Sequence, residues 1–129
     1  MAELSISEQA EVNRLGALPE RDLFILIGQE AYFLQTGQAV ILADETAYAA
    51  GKEWIKHSER TVYNSICIDK DYCRFPKDSK NTDRLSLLFA LADLKLGGAA
   101  TLAYFTSKVA FDAFCQCHLP PEKRKPRGS

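Results

Sequence analysis

The first third of the chain carries start and stop signals that leave room for little but helices. Ser5 and Glu8 stand at capping-box spacing, in which a hydroxyl and a carboxylate satisfy each other's backbone amides at a helix start. Gly16 then offers a left-handed stop, and Pro19 sits where the first turn of a new helix tolerates proline, with Glu20 and Asp22 near the positive end of its dipole. Leu23, Ile27 and Leu34 form one stripe at helical period, with Phe24, Ala31 and Phe33 beside it, before Gly37 ends the run. The same period restarts at Val40 and continues through Ala43, Ala47, Ala50 or Gly51 and Trp54, which predicts a third helix reaching about His57.

The pattern weakens from Ser58 to Asn81. Tyr63, Ile66, Cys67 and Ile68 are its strong core formers, and Val62 to Ile68 fits either a short strand or an extra helical turn; residues 76–82 read as loop. Thr82 or Asp83 can cap a fourth helix running to Leu96 and stopped by Gly97 and Gly98. Its polar residues lie on two thin lines, Ser86 with Asp93 and Arg84 with Lys95, so it is expected to lie between other helices. A fifth helix is predicted from about Ala100 to Cys117, ended by His118 and the Pro120–Pro121 pair. The predicted fold class is mainly α: a single-domain bundle of about five helices over residues 1–119, with one irregular or short-strand segment near 58–81 and a flexible basic tail or linker over 120–129.

Composition supports one packed domain. A 129-residue chain with 47% apolar and 26% charged residues has the make-up of an ordinary globular core. The longest apolar runs, Leu23 to Ile27 and Leu87 to Ala92, fall far short of the roughly 20 residues needed to cross a bilayer, and the first residues lack the pattern of a secretory leader. The expectation is a soluble cytoplasmic protein with four free thiols. In the last ten residues Glu122 stands against Lys123, Arg124, Lys125 and Arg127, net +3, which leaves −4 of the overall −1 to the body. An acidic body is a poor nucleic-acid binder.

No catalytic constellation can be assembled from local spacing. Cys115-Gln116-Cys117-His118 together with Cys67 and Cys73 is the nearest approach to a zinc set, but no pair has the two-residue gap of a zinc knuckle, so core packing is preferred and metal binding by Cys67, Cys73, Cys115 and Cys117 is kept as the weaker alternative. Asp69 and Asp71 follow the apolar Ile66–Ile68 run as nucleophile and acid do in phosphoryl-transfer enzymes, but that chemistry needs a parallel sheet the chain does not offer. Glu53 and His57 stand one helical turn apart, without the second pair a di-metal bundle requires. Asp93, flanked by Leu91, Ala92, Leu94 and Leu96, is the polar residue a buried fourth helix would have to satisfy.

These features point to a non-enzymatic, adaptor-like module that binds a partner protein, or a second copy of itself, in a groove between helices, with no cofactor. Tyr32, Tyr48, Trp54, Tyr63, Tyr72 and Tyr104 exceed what one small core needs to hide and supply candidate anchors. The alternative is a small-molecule-binding protein or small enzyme with a pocket inside the bundle, anchored by Asp93, Glu30 or His57.

Overall fold

A computed structural model describes residues 5–74 and 80–125, with backbone alone for 80–86. The helices are α1 (Ile6–Gly16), α2 (Glu20–Thr36), α3 (Asp44–Val62), α4 (Lys80–Asp93), α5 (Ala99–Ser107) and α6 (Phe111–Phe114). A π-helical segment, Tyr63–Asp69, extends α3, and 3₁₀ turns lie at Tyr72–Arg74 and Pro121–Lys123. The fold is mainly α, and among the described residues there is no strand.

The predicted start of α1 and stop of α2 are present, whereas Gly16 is the last residue of α1 without entering the left-handed region: Ala17 caps the helix at φ −83°, and a Cβ on Gly16 would lie 2.2 Å from Ser107 Oγ of α5. The Glu8 amide donates to Ser5 Oγ at 3.1 Å and the Ser5 amide to Glu8 Oε1 at 3.2 Å. Gly37 closes α2 in the left-handed region, φ 71°, where its amide donates to the Phe33 carbonyl at 2.7 Å.

Later boundaries depart from the sequence reading, each for a structural reason. The third helix starts at Asp44 rather than Val40, because residues 38–43 are held as an extended strap against α2. It also runs past His57 to Val62, so the undecided Val62–Ile68 stretch is helical, wound as a π turn that buries Tyr63, Ile66 and Cys67. Residues 80–82 belong to α4 and not to a loop; the rest of the expected loop at 76–79, and the side chains of Thr82, Asp83, Arg84 and Ser86, lie outside the described residues. That helix stops at Asp93, with Lys95 at φ 53°, before the glycine pair is reached. Gly97 and Gly98 serve close approach instead. A Cβ on Gly97 would lie 2.8 Å from Thr101 Oγ1, and one on Gly98 would lie 2.5 Å from Glu30 Oε2.

The predicted fifth helix is broken in two at Lys108–Ala110. A straight helix would carry Cys117 about 15 Å beyond Ser107. The break turns Phe111 and Phe114 back into the core, where they pack against Tyr72 and Tyr63. It also brings Cys115 and Cys117 to the π segment and to the 3₁₀ turn at Tyr72–Arg74.

There the expectation of free thiols fails. Cys67 is bonded to Cys115 and Cys73 to Cys117, and no free cysteine remains. Sulfurs tied in disulfides offer no thiolate for zinc, so the weaker alternative of a Cys67, Cys73, Cys115, Cys117 metal site falls with it, and among the described residues no other cluster of His, Cys, Asp and Glu could hold a metal ion.

The most extensive helix pair is α2 with α3, and its closeness comes from two glycines. A Cβ on Gly28 would stand 1.8 Å from the Ala47 carbonyl oxygen, and one on Gly51 would stand 2.0 Å from that of Phe24. Each Cα–H therefore points at a carbonyl of the opposite helix, one turn before the opposite glycine, in a reciprocal Cα–H···O contact. Leu23 and Ile27 of α2 share the core with Val62, Ile66, Leu91 and Phe105, all almost fully enclosed. No described helix is long and apolar enough to cross a membrane.

Gly→Ala in an exposed helix ordinarily stabilises by up to about 1 kcal/mol. Gly28→Ala is expected to do the reverse, since the obstacle is backbone and cannot rotate away, and to destabilise by roughly 3 kcal/mol or more. Urea denaturation monitored by circular dichroism checks the sign.

Candidate functional site

The surface feature that stands out is an apolar groove beside the second half of α2. Gly37 turns the chain back, and the strap at 38–43 runs along α2 because one side chain clamps it. Gln29 Nε2 donates to the Val40 carbonyl, and Gln29 Oε1 accepts from the Leu42 amide at 2.9 Å. A primary amide can pair in this two-sided way as a backbone peptide would. The clamp leaves Val40 48% and Ile41 91% exposed, next to Phe33 at 51% and Leu34 at 56% on α2.

Phe33, Val40, Ile41, Leu26 and Leu15 line a groove of about 500 Å³ whose end is closed by Ala99 and Ala100 of α5. A second groove, about 460 Å³, adjoins it across Glu11 and Ala99, with Val12, Leu34, Leu91 and Leu102 in its walls. The charges at this pair of grooves are Glu8, Glu11, Arg14, Glu30 and Lys95, of which Glu11 and Arg14 are joined by hydrogen bonds on the surface of α1.

Glu30 reaches from the first groove to the start of α5. Its Oε2 accepts from the Ala100 amide at 3.1 Å, so a carboxylate seventy residues away provides the cap that Gly98 cannot. Burial pushes the carboxyl above its ordinary range. The amides of Ala100, Thr101 and Gly98 and the Thr101 hydroxyl pull the other way, without overcoming it. The Thr101 hydroxyl favours the ionised carboxylate by its proximity yet meets no regular hydrogen-bond geometry. Glu30 Oε1 and Trp54 Nε1 are likewise buried without a regular partner. Polar atoms in that state cost about 1–3 kcal/mol each, so the joint between α2, α3 and α5 is held at some expense.

The three residues expected to anchor an internal pocket are not brought together. Glu30 is half-buried in the groove wall. His57 is exposed on α3, where its Nε2 pairs with Glu53 Oε1 at 2.9 Å, and Asp93 is exposed at the end of α4; neither lines either groove. Asp69 is exposed on the π segment, and Asp71 pairs with Arg74 at 2.8 Å. Nor are the surplus aromatics the exposed anchors. Tyr63 is buried, and Tyr48, Trp54, Tyr72 and Tyr104 are half-buried against the core. Tyr48 also lies under two cations, with Arg21 at 5.0 Å and Lys52 at 5.3 Å from its ring centre. The exposed apolar side chains at these grooves are instead Phe33 and the aliphatic Leu26, Leu34, Val40 and Ile41, and the strap is shaped by Gln29, which no sequence pattern singles out. The one local sign of the strap is the stop at Gly37 followed by an unbroken apolar run, Ala39 to Ala43, in which Ala39, Ile41 and Leu42 fall outside the helical stripe.

Compared with known protein families, curated proteins and solved structures, the chain has no significant match among them.

Because the folded Glu30 carboxyl holds its proton more tightly than the unfolded one, the folded state binds more protons between the two pKa values. Its contribution to stability therefore falls as pH rises through that window, just above the ordinary carboxylate range, and is regained on mild acidification. Comparing denaturation of the wild type with Glu30→Gln at a series of pH values isolates it. The difference in stability is expected to move in the variant's favour as pH rises through the window and to be flat above it.

Proposed function

We propose that this chain is a non-enzymatic interaction module whose groove beside α2 receives an apolar or amphipathic segment of a partner protein. The observation that carries the reading is the exposed set of Phe33 on α2 with Val40 and Ile41 on the strap that Gln29 holds in place, lining one groove, and of Leu34 in the groove that adjoins it. Apolar side chains held out in a contiguous patch are costly to leave in water and are typical of surfaces that are covered in use. The groove has the elements of a helix-in-groove or extended-peptide site: apolar walls, a charged rim and backbone already ordered before binding. The separation of Glu30, His57 and Asp93 weighs against the reading of a small-molecule pocket anchored by the three together.

The compartment belongs to the same proposal. Thiols in the cytoplasm are kept reduced, and two disulfides support a setting in which cystines persist, rather than the cytoplasmic one expected from composition.

Affinity capture from the source cells, paired with light scattering, tests the reading. The wild-type chain is expected to retain a specific partner or a second copy. Phe33→Asp with Ile41→Asp is expected to lose it at least tenfold, since two groove anchors worth about 1–2 kcal/mol each are removed, while its circular dichroism is unchanged. A strict monomer that retains nothing, or a double variant that retains the same partner equally well, overturns it.

A further inference from the structure

The two disulfides sit in different surroundings. Cys115 is fully enclosed and Cys67 is 7% exposed, whereas Cys73 and Cys117 are both half-buried at the edge of the core. Next to them is a groove of about 410 Å³, separate from the pair beside α2, whose walls include Tyr63, Cys67, Cys73, Pro121 and Arg124. Two guanidinium groups, Arg74 and Arg124, line it, and Asp71 is paired with the first.

We propose that Cys73–Cys117 is a thiol-exchange site, opened by an anionic low-molecular-weight thiol of the glutathione class, and that Cys67–Cys115 is the structural bond that keeps the domain folded meanwhile. Cys67 and Cys73 both line the groove, but Cys67 is almost fully enclosed and Cys117 does not line it, so Cys73 Sγ is the atom attacked. The incoming thiolate forms a bond to Cys73 Sγ as the Cys73–Cys117 bond breaks, and Cys117 leaves as a thiolate that takes a proton from water. A second thiol attacks the sulfur of the mixed disulfide, which returns Cys73 as a thiol and releases the small disulfide. Two thiols are oxidised for one cystine reduced. With Arg74 paired to Asp71, the groove keeps one net positive charge that favours the attacking thiolate, and a carboxylate of such a thiol matches Arg124.

Opening this bond removes the covalent tie between the C-terminal segment and the turn at Tyr72–Arg74, leaving hydrogen bonds from the Gln116 and Cys117 amides to the carbonyls of Ala113 and Asp112. Within that segment Arg124 Nε donates to the carbonyls of Gln116 and Leu119, and the Gln116 side chain pairs with both backbone groups of Lys125. Residues 116–125 thus form one folded unit, and Cys73–Cys117 is its covalent tie to the 3₁₀ turn at Tyr72–Arg74. Upstream, Cys115 stays anchored to Cys67, and Phe111 and Phe114 stay in the core. With the inner bond closed, the outer one closes only the short ring through 68–72 and Gln116, so its loss leaves the larger loop constrained.

The test treats the full chain, purified without reductant, with rising glutathione, then acid quench, alkylation and mass mapping, with limited trypsin digestion in parallel. The expected result is a glutathione adduct on Cys73 and alkylated Cys117 at concentrations that leave Cys67–Cys115 linked. Cleavage after Lys123 or Arg124 should accelerate several-fold while helical circular dichroism is unchanged. The proposal is overturned by four thiols in the protein as purified, by the inner bond opening first or with the outer, by an adduct on Cys117, or by an unchanged cleavage rate. The Cys73→Ser, Cys117→Ser variant gives a second reading: it should fold and be cleaved rapidly without glutathione, and its failure to fold would overturn the proposal by showing the outer bond to be structural.

Discussion

The crossing of α2 and α3 at Gly28 and Gly51 is the contact on which the rest of the molecule hangs. With no side chain at either position, each helix backbone reaches the other's carbonyls, and the pair becomes a rigid unit rather than two amphipathic rods in loose apposition. Successive residues of a helix point about 100° apart, so the position of Gly28 against α3 also sets the direction of the two residues after it. Gln29 faces the strap and Glu30 faces the first turn of α5. One turn of α2 thereby addresses three neighbours in three directions: backbone contact to α3, an amide clamp to residues 40–42, and a carboxylate cap on α5. The exposed apolar groove is a consequence of this turn, because it lies where the strap and α5 are held apart on either side of α2.

The other end of the molecule is held by different means. The π turn and the short α6 bury Tyr63, Ile66, Phe111 and Phe114, and two disulfides with the Tyr63, Tyr72, Phe111 and Phe114 cluster do what long helix packing does elsewhere. Covalent ties suit a region where local helical preference is weak, since they constrain the unfolded chain irrespective of propensity. The two halves therefore answer to different conditions, one to packing volume at two glycines and the other to the redox state of four sulfurs.

How much of this is legible in the sequence depends on the range of the interaction. The start of α1 and both ends of α2 can be read because Ser5, Glu8, Pro19 and Gly37 act within a turn of themselves, whereas Gly16 reads as a left-handed stop and serves close approach to Ser107 instead. Gly97 and Gly98 stand out but read as a helix stop, since nothing local says that Trp54, Thr101 and Glu30 crowd against them. Glu30 reads as a possible ligand anchor, and it serves as a cap for a helix seventy residues away, a role that needs the fold to be known. Gly51 reads as one position on an apolar face, and the reciprocal approach to Gly28 is invisible without the pairing of helices. Cys67, Cys73, Cys115 and Cys117 are expected to stay reduced because the apolar content alone could support a core. That expectation weighs need and not proximity, and the break after Ser107 is what makes the proximity.

The claim that one turn of α2 organises its neighbours has a direct measurement. A nuclear Overhauser spectrum of the folded protein should show strong cross-peaks between the α protons of Gly28 and Gly51 and their opposite helices. It should also show cross-peaks from the Gln29 side-chain amide to the Leu42 amide, and from the Glu30 side chain to the Ala100 amide. All three sets together are the predicted result. Separation of Gly28 from Gly51, with the other contacts present or absent, would contradict it.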